Sequence, residues 1–411
     1  MSNATISDYT NVATDRFDKA VPIYLNNEIP LLQIFNKGKV EKFDSEKAFK
    51  LPFQYQQPQG SSWTGEGVAT PTALLSAFNQ MSLTWKKIVG TIRLSEEAID
   101  LTKGSLTFIN GWARESAGML RTIKNDLDTA VHKSGRGKLC SVTSISGQVV
   151  TCDTTRYIQP GMVLAGYDDS NNINGLVAGH PVTIINSETT FTVTGDLTST
   201  VGGSATVDSG TYFYKLGTWV TSGSSQYAAN GIANIVDDDD LAFQGTLTRA
   251  LYPMLKAKIG DGDNPGTPQA LTLARMRDIV DQIVMGPYGG SPGCIYGSLG
   301  TYNAYTDIMR SATQPVETMP AKDGYPGGAI YHQGDKDLPV IASVKATPDT
   351  MFFLSKETLF KYFGKMGWAD RDGMMQRVAG YLIYESIYRG WCNFGTNYPS
   401  ANGRLNDITE T

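Results

Sequence analysis

The chain has 411 residues, which at roughly 150 per domain points to two or three domains. Apolar residues make up 41% and charged residues 18%, enough to pack a core and too little charge for a disordered chain. The balance of 35 basic against 40 acidic residues, −5, excludes a surface that grips nucleic acid all over and leaves only a local basic face. No run of 18 apolar residues occurs, so no membrane partner is expected, and Met1-Ser2-Asn3-Ala4-Thr5 lacks the features of a secretory signal.

In chain order, residues 1–39 are polar and mixed, with Pro22 and Pro30 interrupting any long helix, and read as an extended arm. From Val40 the pattern changes. Phe49, Leu51, Phe53 and Tyr55 alternate with polar residues as a strand, and Pro52 places that strand at a sheet edge. A tip rich in Gly, Ser, Gln and Pro follows over 56–67. Met81, Leu83 and Trp85 then alternate, and Ile88, Gly90, Ile92 and Leu94 alternate again one residue out of phase, as a bulge would produce. Residues 40–94 thus predict a long two-stranded ribbon, which is marginal in water unless it lies on another surface.

Apolar residues at Ile109, Ala113, Leu120, Ile123, Leu127 and Ala130 predict a helix from Ser105 to His132, about 42 Å long. Between Arg114 and Lys138 six basic residues, Arg114, Arg121 and Lys124 among them, oppose three acidic ones, a face suited equally to a polyanion or to solvent. Residues 138–216 are dense in Thr, Val, Gly and Ser, with strand-like runs separated by turn signals, and predict an all-β module.

Beyond Gly217, Leu247, Leu251, Leu255 and Ile259 suggest a helix kinked at Pro253, and Leu273 to Val284 a cleaner one entered from Thr272. A strand at 294–296, a helix at 302–309 and strands at 339–344, 351–354 and 378–388 complete an α+β body.

Signatures of chemistry fail on inspection. Gly38-Lys39, Gly137-Lys138 and Gly364-Lys365 lack the Ser or Thr of a phosphate loop, and the loop 260–266 has Pro265 where a calcium loop needs a ligand. Gly289-Gly290-Ser291-Pro292-Gly293 has the spacing of a nucleophile elbow, but Pro292 cannot donate the N–H that an oxyanion requires, so it reads as a turn. Asp237 to Asp240 read as negative charge at a helix N-terminus. Cys140, Cys152, Cys294 and Cys392 form no C-x-x-C pair and fit reduced thiols. With His132, His180 and His332 far apart, a zinc site would have to be assembled by the fold alone. No enzyme, metal or cofactor is expected.

The order arm, ribbon, long helix, α+β body resembles the major capsid proteins of tailed bacteriophages, the Hong Kong 97-type fold. The resemblance is carried by SSWTGEGVATP (61–71) and FNQMSLTWKKIVGTIRLSEEAIDLT (78–102). There Trp63, Glu66, Gly67, Lys86, Lys87, Ser95, Glu96 and Glu97 occupy places typical of that family. It implies an N-terminal arm (1–39), an extended loop overlapping a neighbouring subunit (40–92), a spine helix with the first part of a peripheral domain (93–137), and an inserted β-domain (138–216). An axial domain (217–356), a second peripheral part (357–390) and a C-terminal axial segment (391–411) follow.

It further implies a shell of hexamers and pentamers around viral double-stranded DNA held without sequence specificity, assembled in the host cytoplasm into a virion capsid. A separate scaffolding protein, a portal protein and a decoration protein are implied partners. Phe53, Tyr55, Trp63, Glu66 and Trp85 would make intersubunit contacts, and Arg114, Arg121 and Lys124 would face DNA. The tip 56–67 has no lysine, so covalent crosslinking through it is not expected. Two other readings stand beside this one: an encapsulin-like nanocompartment shell, and a carbohydrate-binding or carbohydrate-cleaving β-rich protein.

Overall fold

The computed structural model describes residues 30–38, 48–70, 72–102, 111–168, 177–195, 211–218, 228–239, 242–243, 247–261, 266–286, 288–311, 329–333, 336–364, 366–369 and 376–410. The expected arm is described only at its end, and there it is core. Helix α1 (Pro30–Ile34) leads to strand β1 (Asn36–Lys37), which pairs in parallel with Phe360 and Lys361. Leu31, Ile34 and Phe35, spaced to share one face, bury among Leu127, Val131, Phe352 and Phe394. An apolar triplet of this kind contributes more inside than on a tether.

Strands β2 (Ala48–Gln56) and β3 (Ala77–Thr84) pair antiparallel from Ala48 opposite Thr84 to Gln56 opposite Ala77, forming the ribbon. The ribbon ends sooner than expected. The phase shift near Trp85 is a change of partner: β4 (Lys86–Ser95) leaves the ribbon and pairs over its whole length with residues 383–392. Ser95 Oγ accepts from Ala98 N at 3.2 Å and caps α2 (Glu96–Thr102), whose first turn carries Glu96 and Glu97. Helix α3 (Gly111–His132) is described from Gly111, about 33 Å of the expected helix. It lies so close on β4 that a Cβ at Gly90 would come within 2.5 Å of Met119 Sδ.

The β-rich module is a closed barrel. Its strands are β5 (Cys140–Ser146), β6 (Val149–Cys152), β7 (Val163–Asp168), β8 (Val177–Ile185), β9 (Thr190–Val193) and β10 (Thr211–Lys215). They close in the order β10-β5-β6-β9-β8-β7 around Val150, Leu164, Phe191, Val193 and Phe213. Where the chain enters and leaves, Leu139 N donates to Phe213 O at 2.8 Å.

Helix α4 (Ile232–Ile235) precedes the aspartate run, so those carboxylates do not cap a helix as expected. Asp237 instead takes Arg404 at 3.1 Å and faces Arg249 at 3.9 Å, while Asp240 lies outside the described residues. The helix expected over 247–259 is also absent. Strands β11 (Ala242–Phe243) and β12 (Leu247–Thr248) form a hairpin, a single 3-10 turn spans Pro253–Leu255, and β13 (Lys258–Gly260) follows. Pro253 holds Tyr252 out of helical geometry, and the leucine spacing cannot override that.

Arg249, wholly buried, donates to the carbonyl oxygens of Leu255 and Asn234 and so ties this segment down. Arg249→Ala should cost about 3–5 kcal/mol, because its carbonyl and carboxylate partners lose a buried cation. Chemical denaturation checks this; a loss below about 1 kcal/mol would mean that the segment is held by packing alone.

Thr272 Oγ1 accepts from Arg275 N at 3.2 Å and starts α5 (Leu273–Met285) as expected. Next come β14 (Cys294–Gly297), α6 (Leu299–Ser311), β15 (Ile330–Gln333), β16 (Lys336–Ala342) and β17 (Met351–Leu354). The last elements are β18 (Leu359–Phe363), β19 (Gly367–Trp368), β20 (Gln376–Arg377), β21 (Ile383–Thr396) and β22 (Gly403–Leu405).

Two six-stranded sheets result. One runs β13-β22-β17-β14-β16-β15; all of β14 and β17 is buried, with Ile295, Met351 and Phe353 under α5 and α6 and Cys294, Tyr296, Phe352 and Leu354 on the opposite face. The other is built on β21, which pairs with β18, β19, β20 and β4. The strand expected at 378–388 is displaced: 378–382 form a turn, with Val378 N donating to Ile383 O and Gly380 at φ +83°. Residues from α1, α3, α4, β14, β17, β18 and β21 share one apolar cluster, so the expected peripheral and axial parts meet in a common core.

Candidate assembly surface

The ribbon is anchored along its paired strands and open at its tip. Phe53 and Met81 bury against Met254 and Leu255, and Tyr252 meets the rings of Phe53 and Tyr55 edge-on, each at 5.5 Å. Asn79 Nδ2 donates to Tyr252 Oη at 2.7 Å. Beyond this, large apolar side chains stand exposed among polar ones. Trp63 is fully exposed (105%), Leu75 nearly so (82%), and Val68, Leu74 and Phe78 are exposed by half or more. Glu66 is the one charged residue between 57 and 76. Such a strip in water is what an unpaired contact surface looks like.

Of the residues expected to touch a neighbour, Trp63 and Glu66 are exposed and Tyr55 is 44% exposed. Phe53 is corrected: at 6% exposure it serves its own subunit, because Tyr252 and the 253–255 turn cover it. Trp85 is half-buried at the root, its ring close against Gly364. Val68, Leu74, Leu75 and Phe78, not among the expected residues, are exposed beside them, and adjacent leucines within a polar tip were a readable signal of this.

On α3, Arg114 and Lys124 are exposed and Arg121 half-exposed. Spacings of seven and three bring the three towards one side of the helix; Arg114 and Arg121 lie opposite the buried Ile123, and Lys124 borders the buried stripe at Leu127 and Val131. The opposite end of α3 is wired into the sheet that carries β14. The buried His132 ring sets Nδ1 2.7 Å from the Asp128 carbonyl oxygen, which can only accept, so Nδ1 carries the proton. Nε2 then accepts from Tyr296 Oη at 2.5 Å.

Burial pushes the imidazole below its ordinary value of 6.5, Asp128 opposes this, and Lys345 and Lys133 add to it. Asp128 Oδ2 in turn lies 3.4 Å from Lys345 Nζ. The folded chain thus keeps His132 neutral while the unfolded chain takes up a proton below about pH 6.5. Stability present above that pH drains as pH falls, by up to about 1.4 kcal/mol per unit. Urea denaturation at pH 7.5 and 5.5 should show this loss, reduced in His132→Gln; equal slopes would remove His132 as the cause.

A cleft of about 630 Å³ separates the ribbon root from the barrel, between α3, β21 and Tyr157 and Met162. Its lysines are engaged: Lys215 with Asp126 at 2.6 Å, Lys138 over Tyr212 at 3.4 Å and Lys87 over Trp391 at 5.7 Å. The barrel is latched to the body nearby. Arg156 donates to Ala346 O and Glu410 Oε2, both at 3.1 Å, and Tyr157 Oη donates to Lys345 O at 2.9 Å. Glu410 also accepts from Ser298 Oγ and from Asp349 N. Arg156→Ala should loosen the latch without unfolding either side, seen as faster hydrogen exchange at 345–349 and 410. Unchanged exchange there would show that the latch contributes nothing.

The string Gly289–Gly293 is an irregular segment leading into β14: Gly289, at φ +54°, closes a turn on Gly286 O at 2.8 Å, and Gly293 N donates to Leu354 O at 2.7 Å. In the glycine-rich loop, Asp261 accepts from Asn406 Nδ2 at 2.6 Å and Gly266 N donates to Asp407 Oδ2 at 2.7 Å; residues 262–265 lie outside the described ones. Burial pushes the Cys294 and Cys392 thiols up to about 12, so both are inert packing groups.

No protein-family model matches the sequence, and no curated protein does. Among solved structures, a chain of the cyanophage A-1(L) capsid asymmetric unit aligns over 99% of this chain and 100% of its own, at 12% identity and TM-score 0.59. The capsid of the native GTA particle follows at 9% identity and 0.49, covering 99% of both chains. The SrpI encapsulin of Synechococcus elongatus PCC 7942 aligns at 7% and 0.48, over 99% of this chain and 96% of that one. The cyanophage likeness extends end to end, and the chain has the fold of that capsid chain, of the α+β class.

Proposed function

We propose, for a chain that carries this fold, that it is the major subunit of a phage capsid, assembling through hexamers and pentamers into an icosahedral shell around double-stranded DNA. The observation that carries this is the ribbon: a long projection whose tip exposes Trp63, Leu75 and Phe78, with nothing among the described residues of its own subunit to cover them. A neighbouring copy supplies the cover, and contacts repeated head to tail close into rings and shells. Tyr55, Trp63 and Glu66 make that contact, and Trp85 steers the ribbon from its root.

Arg114, Arg121 and Lys124 face the enclosed DNA, reading charge and no sequence. The barrel is an inserted domain at the shell surface. A separate scaffolding protein shapes the shell, a portal protein occupies one vertex, a decoration protein binds outside, and assembly proceeds in the host cytoplasm.

Electron microscopy of the expressed chain, with assay of nuclease-protected nucleic acid, tests this reading. Closed particles that protect DNA when the packaging partners are supplied are the expected result. Particles that enclose protein cargo would favour a nanocompartment shell. Dispersed subunits that bind sugar would overturn the reading altogether.

A further inference from the structure

Two thiols distant in the pattern of the sequence are brought together by the barrel. Cys140 opens β5 and Cys152 ends β6, both buried. Their Sγ atoms and a carboxylate oxygen of Asp153 lie within 4.8 Å of one another. We propose that Cys140, Cys152 and Asp153 form a binding site for a thiophilic divalent cation of the zinc class.

The register argues for a cation over a disulfide. Val142 lies directly opposite Cys152, so Cys140, two residues earlier, is diagonal to it. Diagonal positions stand about 7–8 Å apart at Cα, beyond the roughly 4.4–6.8 Å that a disulfide spans. A tetrahedral cation holding each sulfur at about 2.3 Å separates them by about 3.8 Å, which a small contraction of the present cluster reaches.

The third donor is held in place. Asp153 Oδ1 accepts from Ser141 N at 2.9 Å and Thr154 N at 2.8 Å, which orients the carboxylate and leaves Oδ2 for the ion. Charge closes as well. Two thiolates and a carboxylate exceed a divalent cation by one negative charge, and the Lys133 ammonium, seated 4.2 Å over the Tyr157 ring, faces all three groups. Asp153 is exposed, so the ion enters from its side and solvent fills the fourth position.

Binding replaces two S–H bonds by two S–metal bonds and releases two protons to solvent. The Cys152 thiol now points at Thr154 O and Thr189 O, at 3.3 and 3.4 Å; Thr189 O also accepts Cys152 N at 2.8 Å and stays paired when that proton leaves. Soft sulfur donors select zinc-class ions over magnesium or calcium. The ion staples β5 to β6 where the barrel meets the end of α3.

The test is a Cd²⁺ titration of the reduced full chain, read by thiolate-to-metal charge-transfer absorbance, proton release and bound metal. One Cd²⁺ per chain with two protons released is expected, retained when Cys294→Ser and Cys392→Ser are combined and lost when Cys140→Ser and Cys152→Ser are combined. Asp153→Asn, a change at an exposed residue that keeps both thiols, should weaken binding at least about tenfold, and it decides the matter should the double serine variant misfold. Absence of the band, its survival without Cys140 and Cys152, or a mapped Cys140–Cys152 disulfide with no metal uptake would each overturn the site.

Discussion

Removing residues 57–67, or replacing Trp63 with Ala, should leave a folded subunit that no longer closes into complete shells. The fold is spared because the tip's backbone bonds are its own, Gln59 N to Leu74 O and Val68 N to Gly65 O, and its side chains are exposed. Surface changes of this kind shift stability by about 0.5 kcal/mol or less. Assembly is not spared. Burying an indole removes about 150 Å² from water, which at 25 cal/mol per Å² sets a ceiling of about 4 kcal/mol per contact. That is close to a thousandfold in each subunit–subunit affinity, and a closed shell repeats the loss at every contact. Gel filtration and electron microscopy check it: folded, unassembled Trp63→Ala is expected, and normal particles would show that the ribbon is not the clasp.

Excising 140–215 and joining Leu139 to Leu216 through a short Gly-Ser linker should leave the rest of the chain folded. The two ends are already neighbours through the Leu139 N to Phe213 O bond, so the linker spans little. The barrel closes around its own core, and what it gives the body is the Arg156 and Tyr157 latch together with the Lys215–Asp126 pair. Exposed pairs are worth about 0–1 kcal/mol each and the partly buried latch somewhat more, so a loss of a few kcal/mol is expected. Thermal unfolding with near-ultraviolet circular dichroism gives the answer: a cooperative transition is expected, and a molten or aggregated product would make the barrel integral to the body.

How far the sequence could be read depended on whether a signal was local. The barrel was legible because a shift to Thr, Val, Gly and Ser changes composition outright. Helix α5 was legible because Thr272 caps a clean apolar stripe. The ribbon was legible in its alternation, but alternation names a strand's faces and not its partner, so the switch at Trp85 from β3 to β4 read as a bulge. Apolar residues on both faces of 378–388 hid the turn at Gly380. Leucines four apart at 247–259 mimicked a helix that Pro253 forbids. Along the ribbon, Trp63 and Glu66 stood out by type and are exposed, whereas Phe53 needed the tertiary structure to be seen as buried against Tyr252.

Sedimentation velocity of the purified full-length chain tests the central claim, that the subunit is completed by copies of itself, most directly. Rings of six and five or closed particles, in an equilibrium that shifts to subunits when Trp63 is replaced, are the result this account requires. A single slow monomeric boundary at every concentration, with the ribbon tip ordered in solution, would contradict it.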